Sequence, residues 1–176
     1  MAKLIDHEIA TVANGGEGHI LLKLNNLVDF ELIQKLYEAS EAGVEITLLV
    51  RGVCSLVAGV EGMSSNIEAY SIVDKFLEHS RIYIFGNNGK PLYYLSSADI
   101  MARNLDHRVE VTCPVLDPDI QKELQDMLDI QLRDNVKSRA LDATQSNQYR
   151  TQQGKKVRSQ VDFYTYLAKL AKQSSS

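Results

Sequence analysis

Residues 19–50 read HILLKLNNLVDFELIQKLYEASEAGVEITLLV, and this segment contains the pattern that decides the fold. His19 to Leu24 is a short apolar run typical of a buried strand. Asp29 has the position of a helix N-cap, and apolar side chains recur at helical spacing from about Phe30 to Ala42. Val44 to Val50 is apolar enough to be covered on both faces, as strands of parallel sheets are. The order strand, helix, strand predicts one right-handed crossover between parallel strands.

The composition is that of a globular domain and excludes several classes of protein. The chain has 176 residues, of which 44% are hydrophobic and 24% charged. Its net charge of −4 predicts no nucleic-acid partner, so any anion site must be local. Cys54 and Cys113 lack metal-ligand spacing and are expected to be reduced thiols. No apolar run is long enough to span a membrane, and Asp6, His7 and Glu8 interrupt the region where a signal peptide needs an apolar core.

After the second strand the pattern predicts a helix and then a hairpin. Ser65 and Glu68 have capping-box spacing, which predicts a helix that runs to Leu77 and leads into His79. The polar loop GNNGKP, residues 86–91, separates two predicted strands at residues 81–85 and 92–95.

The remaining chain is predicted to add one strand and two or three helices. Residues 96–104 have the composition of a polar turn or short helix, and residues 107–113 alternate like a fifth strand. Asp117 and Pro118 suit the start of a helix, and residues 161–170 suit a final one. Residues 140–157 are polar and nearly free of apolar side chains, which predicts a loop or strand at the periphery. We therefore predict an α/β fold with a mixed, largely parallel sheet and flanking helices.

Polar side chains cluster where these predicted strands begin or end. Arg51 follows the second strand, and His79 and Arg81 flank the start of the third. Further candidates lie on or after neighbouring strands: Lys23, Ser97, Asp99, Arg103, Asn104, Arg108 and Glu110. Ligands of open α/β sheets bind beyond strand ends, and arginine suits planar oxyanions. The cluster therefore favours a phosphate or carboxylate site.

Each of these residues also has a purely structural interpretation. Arg51 could be solvated or ion-paired, and His79 could be favoured by the dipole at a helix C-terminus. Arg103 and Arg108 could form an ion network with nearby acids, and Lys23 could reach past its apolar neighbours to water.

Several long segments resemble one known family. They are LKLNNLVD (22–29), LYEASEAGVEITLLVRGVCSL (36–56), SIVDKFLEHSRIYIF (71–85), SSADIMARNLDHRVEV (96–111) and RSQVDFYTYL (158–167). Together they are similar to the last domain of the long-chain type of bacterial polyphosphate kinase. The resemblance covers roughly residues 3–172 and implies a single phospholipase D-like domain of a larger chain.

The resemblance also implies an activity. The family reversibly transfers the terminal phosphate of ATP to inorganic polyphosphate, with Mg²⁺, through a phosphohistidine. The nucleophilic histidine and the Mg²⁺ ligands are expected in preceding domains of the same chain, with no metal ligand in this one. Arg51 matches the family's ATP-contacting arginine, and His79 matches its second active-site histidine.

The resemblance implies further roles and a setting. A protonated His79 would donate to the leaving phosphate oxygen or stabilise its charge. Arg81, Arg103 and Arg108 would line the polymer path, held by Glu78, Asp99 and Glu110. A homo-oligomer is expected for the full-length protein. The full-length protein is also expected in the cytoplasm, with peripheral attachment to the inner membrane as an alternative.

Two other functions compete with this one. A phospholipase D-like hydrolase would need paired His-x-Lys motifs, whereas Arg81 stands where the lysine would be. A non-catalytic dimerisation domain would need neither Arg51 nor His79.

Overall fold

The computed structural model describes residues 1–151 and 154–173. They form a mixed sheet in the order β6-β5-β4-β1-β2-β3-β7. The strands are β1 His19–Leu24, β2 Glu45–Val50, β3 Ile67–Ile72, β4 Ile82–Phe85, β5 Leu92–Ser96, β6 Thr112–Val115 and β7 Ser138–Ala140. The helices are α1 Ala2–Ala13, α2 Phe30–Glu41, α3 Ala102–Leu105, α4 Pro118–Leu132 and α5 Ser159–Gln173, with a 3₁₀ turn at Asn87–Gly89. None of the helices so described is both long and apolar enough to cross a bilayer.

The predicted strand–helix–strand unit is confirmed. β1 and β2 are parallel neighbours, with Ile20 opposite Ile46. The side chain of Asp29 accepts a hydrogen bond from the Leu32 N–H at 3.0 Å, which caps α2 as expected. Both strands are buried along almost their whole length, as strands covered on both faces should be.

The mixed sheet is confirmed, but its strands are not largely parallel. Only β1–β2 and β2–β3 are parallel pairs, while β1–β4, β4–β5, β5–β6 and β3–β7 are antiparallel in the described chain. The reason lies in the connections. The short loop between β4 and β5 can join only antiparallel neighbours, whereas a parallel pair needs a crossover of a dozen or more residues.

The helix predicted up to Leu77 is wrong, because Ile67–Ile72 forms strand β3. Ile67 and Ala69 are buried and Glu68 between them is exposed, which is the two-residue period of a strand. Glu68 accepts a hydrogen bond from Tyr70 Oη at 2.5 Å and so does not cap a helix. Pairing with the buried strand β2 outweighs a local helix signal. His79 consequently follows an irregular segment, and the helix-dipole interpretation of that residue no longer applies.

The fifth predicted strand is displaced toward the C-terminus. β6 spans Thr112–Val115, and its pairing with β5 begins with Thr112 opposite Ser96. Residues 107–111 extend past the end of β5 and therefore lack a full strand to pair with. Arg108 and Glu110 do not share a strand face, contrary to the prediction.

Two apolar layers cover the sheet. One contains Leu22, Leu48 and Tyr83 from the strands with Leu36 from α2. The other contains Leu21, Leu49 and Ile84, with Leu128 from α4. Because successive strand residues point to opposite faces, adjacent leucines in β1 and β2 supply the two layers. α5 packs on α4, the helix that covers the second layer.

Candidate functional site

One edge of the sheet collects the loops that carry the predicted site residues. β1, β2 and β3 are parallel, so their carboxyl ends lie together. β4 is antiparallel to β1 with Ile82 opposite Lys23, which brings the amino end of β4 to the same place. β5 returns there at Ser96. We call this edge the site edge. It is formed by the loops after β1, β2 and β5 and by the loop that joins β3 to β4.

Two asparagines directly after β1 join three of these loops. The Asn25 N–H donates to Asp99 Oδ1 at 2.8 Å, and Asn26 Nδ2 donates to Asp99 Oδ2 at 3.0 Å. On the other side, the Gly52 N–H donates to the Asn25 carbonyl at 2.7 Å and the Val53 N–H donates to Asn26 Oδ1 at 3.1 Å. The loops after β1, β2 and β5 are therefore held as one unit.

Gly52 is required by this close approach. A Cβ atom at Gly52 would lie 2.7 Å from Asn26 Oδ1 and 3.0 Å from the Asn25 carbonyl oxygen. A side chain at position 52 would have to displace the Asn26 amide and press on the Asn25 backbone, so glycine favours the meeting of these loops.

Arg51 is half-buried and held through one edge of its guanidinium group. Its Nε donates to Asn25 Oδ1 at 2.9 Å. Its two terminal amino groups have no hydrogen-bond or ion-pair partner in residues 1–151 and 154–173. The Asn25 Nδ2 atom is buried and also lacks a partner among the residues described. The two terminal amino groups of Arg51 thus remain available to an acceptor.

Arg81 does not line an open surface, because it is paired with Asp99. Its Nε lies 3.0 Å from Asp99 Oδ1 and its Nη2 lies 3.2 Å from Asp99 Oδ2. The two side chains are only 10% and 5% exposed. Burial alone would raise the pKa of Asp99, but hydrogen bonds from Arg81, Asn26 and the Asn25 N–H outweigh it and lower the pKa to about 2.

His79 is exposed beside this ion pair. Arg81 Nη1 lies 3.3 Å from His79 Nδ1 and donates to the His79 carbonyl at 3.2 Å. Arg81 Nη2 also lies 3.5 Å from His79 Nε2, so both ring nitrogens face the guanidinium group, which orients the imidazole. The predicted His79–Arg81 pair is present, and Arg81 contacts both His79 and Asp99.

The irregular segment before His79 is anchored by the start of α5. Gln160 Oε1 accepts from the Phe76 N–H at 2.7 Å, and Gln160 Nε2 donates to the Phe76 carbonyl at 2.8 Å. Arg158 binds Asp74 through Nε and Nη2, both at 2.7 Å. The hydrogen bond from Arg158 lowers the pKa of Asp74. These contacts replace the helix that the sequence pattern predicted.

Lys23 is buried and ion-paired, so the structural alternative in which it reaches water does not apply. Its Nζ lies 2.9 Å from Glu78 Oε2. Glu78 also accepts from Gln160 Nε2 at 3.0 Å and from the amide of Gln131. Glu78 therefore holds a lysine, where the sequence interpretation expected an arginine. This buried group is separated from His79 by a single peptide bond.

Ser97, Asn104 and Glu110 form a separate cluster. Glu110 accepts from Asn104 Nδ2 at 2.6 Å and from Ser97 Oγ, and these bonds lower its pKa. Arg103 and Arg108 are exposed and form no ion pair with the part of the chain that the structure describes. Of the three acids expected to hold arginines, only Asp99 does so directly.

Pockets lie on both sides of the site edge. One of about 350 Å³ is lined by Gly52 and Cys54 together with residues after β7. Another of about 340 Å³ is lined by His79, Phe76 and Phe163. In residues 1–151 and 154–173 no three His, Cys, Asp or Glu side chains are grouped so that they could hold a metal ion.

Sequence reasoning missed the residues that support the site. Asn25 and Asn26 stand directly after a buried strand, so the strand-end rule that identified Arg51 could have found them. Gln131 and Gln160 carried no such signal, because they lie in helices far along the chain from Glu78.

The sequence and structure were compared with known proteins. A sequence model of the family described as polyphosphate kinase C-terminal domain 2 matches residues 1–160. The polyphosphate kinase of Vibrio cholerae serotype O1 is 51% identical over 174 residues, which are 98% of this chain and 25% of the relative. The polyphosphate kinase of Escherichia coli K12 is 49% identical over 169 residues, which are 96% and 25%. The chain thus spans about a quarter of the length of these curated relatives.

The chain is also similar to solved structures. The crystal structure of polyphosphate kinase from Porphyromonas gingivalis superposes with a TM-score of 0.93 at 47% identity, covering 99% of this chain and 26% of that one. Nuc, a phospholipase D family member from Salmonella typhimurium, superposes with a TM-score of 0.54 at 10% identity, covering 77% and 88%. The second likeness shows that the α/β fold is phospholipase D-like, as predicted. The chain therefore belongs to the polyphosphate kinase C-terminal domain 2 family.

Proposed function

We propose that this chain is the part of a polyphosphate kinase that binds the phosphates of ATP during reversible transfer to inorganic polyphosphate. The observation that carries the proposal is Arg51, whose terminal amino groups are unpartnered within the described residues while its Nε is held by Asn25. Because Arg51 is only half-buried, these amino groups can be reached by an acceptor from outside the chain.

In this proposal Arg51 holds phosphate oxygens of ATP. A guanidinium group presents its donors in a fixed planar fork that matches phosphate in a two-point contact. The bond to Asn25 fixes the plane of that fork before the ligand arrives. Less freedom is then lost on binding, which favours the bound state.

His79 assists departure of the leaving group. A histidine outside this chain attacks the terminal phosphorus, a nitrogen–phosphorus bond forms, and the bond to the ADP oxygen breaks. His79 donates a proton to that oxygen or stabilises the charge that develops on it.

The other residues have supporting roles in the same proposal. The exposed guanidinium groups of Arg103 and Arg108 extend positive charge toward the polymer, whereas Lys23 and Arg81 hold the loops. Residues 3–172 form a single domain, which acts together with the preceding domains of a larger chain. That larger chain forms a homo-oligomer. Mg²⁺ would be held outside the described residues, and the roles of Arg51 and His79 use only their own side chains.

The proposal is tested with the full-length kinase that carries this domain. Arg51→Lys keeps the charge and removes the fork, so kcat/KM for ATP should fall at least about tenfold, or roughly 1.4 kcal/mol. Arg133→Lys is the control, because Arg133 is exposed and donates to the Asp129 carbonyl of its own helix. Equal activity of both variants and wild type would leave the phosphate-binding role of Arg51 without support.

A further inference from the structure

Asp99 contacts the supports of both proposed phosphate-binding residues. It is buried in the loop after β5, and it accepts hydrogen bonds from the loop after β1 and from the residue directly before β4. These donors include Asn25 and Arg81. The same carboxylate therefore supports Arg51 through Asn25 and His79 through Arg81.

The Arg51 branch runs through Asn25. Asp99 Oδ1 accepts from the Asn25 N–H at 2.8 Å, which fixes the backbone of a residue whose side chain is also buried. Asn25 Oδ1 then accepts from Arg51 Nε at 2.9 Å. The position of the Asp99 carboxylate thus sets the position of the amide that orients the Arg51 fork.

The His79 branch runs through Arg81. Asp99 holds the guanidinium group through Nε and Nη2, at 3.0 and 3.2 Å. The remaining amino group, Nη1, faces His79 Nδ1 at 3.3 Å and the His79 carbonyl at 3.2 Å. Because Asp99 holds the Nε–Nη2 edge, the plane of the guanidinium group is fixed, and Nη1 is directed at His79 while Nη2 also lies 3.5 Å from His79 Nε2.

We propose that Asp99 is a positioning residue that orients Arg51 and His79 together, so that both address the same phosphate group. This inference rests on the proposed function and adds to it the residue on which the two contacts depend. Loss of the carboxylate would release both branches at once. It would also leave Arg81 as a buried cation without its counter-charge, close to the phosphate site.

The test uses Asp99→Asn in the full-length kinase, which keeps the size of the side chain and removes its charge. The control is Glu8→Gln. Glu8 is also a fully buried carboxylate that accepts two backbone N–H bonds, from His19 at 3.0 Å and Asn87 at 2.8 Å, but at the opposite edge of the sheet. Per folded enzyme, kcat/KM for ATP should fall at least about tenfold in Asp99→Asn and less than about twofold in Glu8→Gln.

Double-mutant cycles separate positioning from general destabilisation. If Asp99 acts through both groups, Asp99→Asn should cost little further activity once Arg51→Lys or His79→Gln is present. Asn25→Ala should cost little further activity only when Arg51→Lys is already present. Arg81→Lys should cost little further activity only when His79→Gln is already present. These two variants test the same inference if Asp99→Asn does not fold.

The outcomes are distinguishable. Losses that multiply in every cycle would overturn the role of Asp99 and leave the proposed function intact. So would a loss in Asp99→Asn that matches Glu8→Gln. Wild-type activity in both Arg51→Lys and His79→Gln would overturn the proposed function, and the inference with it.

Discussion

Lys23 Nζ lies 2.9 Å from Glu78 Oε2, and the two side chains are only 7% and 18% exposed. The pair joins the middle of the sheet to the residue directly before His79. Gln131 and Gln160 complete the hydrogen bonding of the carboxylate. A candidate catalytic histidine on an irregular segment is thus held by a buried charge pair.

We expect Glu78→Gln to destabilise the chain by about 3 kcal/mol, because it leaves the Lys23 ammonium buried without a counter-charge. Denaturant unfolding of the 176-residue chain measures the change. The control is Glu38→Gln, which breaks an exposed pair with Lys35 and should cost less than about 1 kcal/mol. Similar losses in the two variants would contradict a special role for the buried pair.

We expect His79→Gln to leave folding almost unchanged, because His79 is exposed and belongs to no apolar cluster. The change removes the imidazole that we propose donates a proton to the leaving oxygen or stabilises its charge. Turnover of ATP by the full-length kinase should fall about 10²-fold or more, the usual scale for a positioned acid or base. Thermal midpoint and turnover are measured together. A midpoint lower by several degrees with normal turnover would make His79 a structural residue.

The purified 176-residue chain should make no polyphosphate from ATP, since the resemblance places the nucleophilic histidine in another domain. Incorporation of labelled terminal phosphate into polymer or protein is the measurement, with the full-length kinase as the positive control. Phosphorylation of any histidine in this chain would contradict the expectation.

Gly52→Ala should destabilise the chain by about 1–3 kcal/mol, because the new Cβ would lie 2.7 Å from Asn26 Oδ1 and 3.0 Å from the Asn25 carbonyl oxygen. Separation of these loops should also displace Arg51 and lower kcat/KM for ATP in the full-length kinase. Ser55→Ala, at an exposed position of the same loop, should be close to neutral. A neutral Gly52→Ala would show that the loops can part without harm.

Asp99 should make stability depend on pH in acid. Its pKa is lowered from 3.8 to about 2 in the folded chain, so its contribution is complete above pH 4 and is lost as the pH falls toward 2. The lost free energy is about 2 kcal/mol. The difference in unfolding free energy between wild type and Asp99→Asn should therefore shrink between pH 4 and pH 2. A constant difference over this range would contradict the ionised, hydrogen-bonded state of Asp99.

Local patterns predicted the elements whose signals lie within a few residues. Asp29 caps α2 and Asp117 caps α4, each through its own side chain, so neighbouring residues suffice to define the helix starts. The loop between β4 and β5 likewise predicts its own hairpin. The strand-end rule also identified Arg51, because the ends of β1 and β2 depend only on the crossover pattern, whereas His79 and Asp99 reach the same end through the antiparallel pairing of β4 and β5.

The sequence by itself thus determined the crossover, the caps and the hairpin, since each depends on contacts between near neighbours. Tertiary structure decided that residues 67–72 are a strand, because the free edge of β2 offers hydrogen bonds that a local capping signal cannot match. It also decided that Asp99 holds Arg81 and Asn25, and that Glu78 holds Lys23. Charge alone allows many pairings among these acids and bases. Only the register of the strands and the packing of α4 and α5 bring one set of partners within hydrogen-bonding distance.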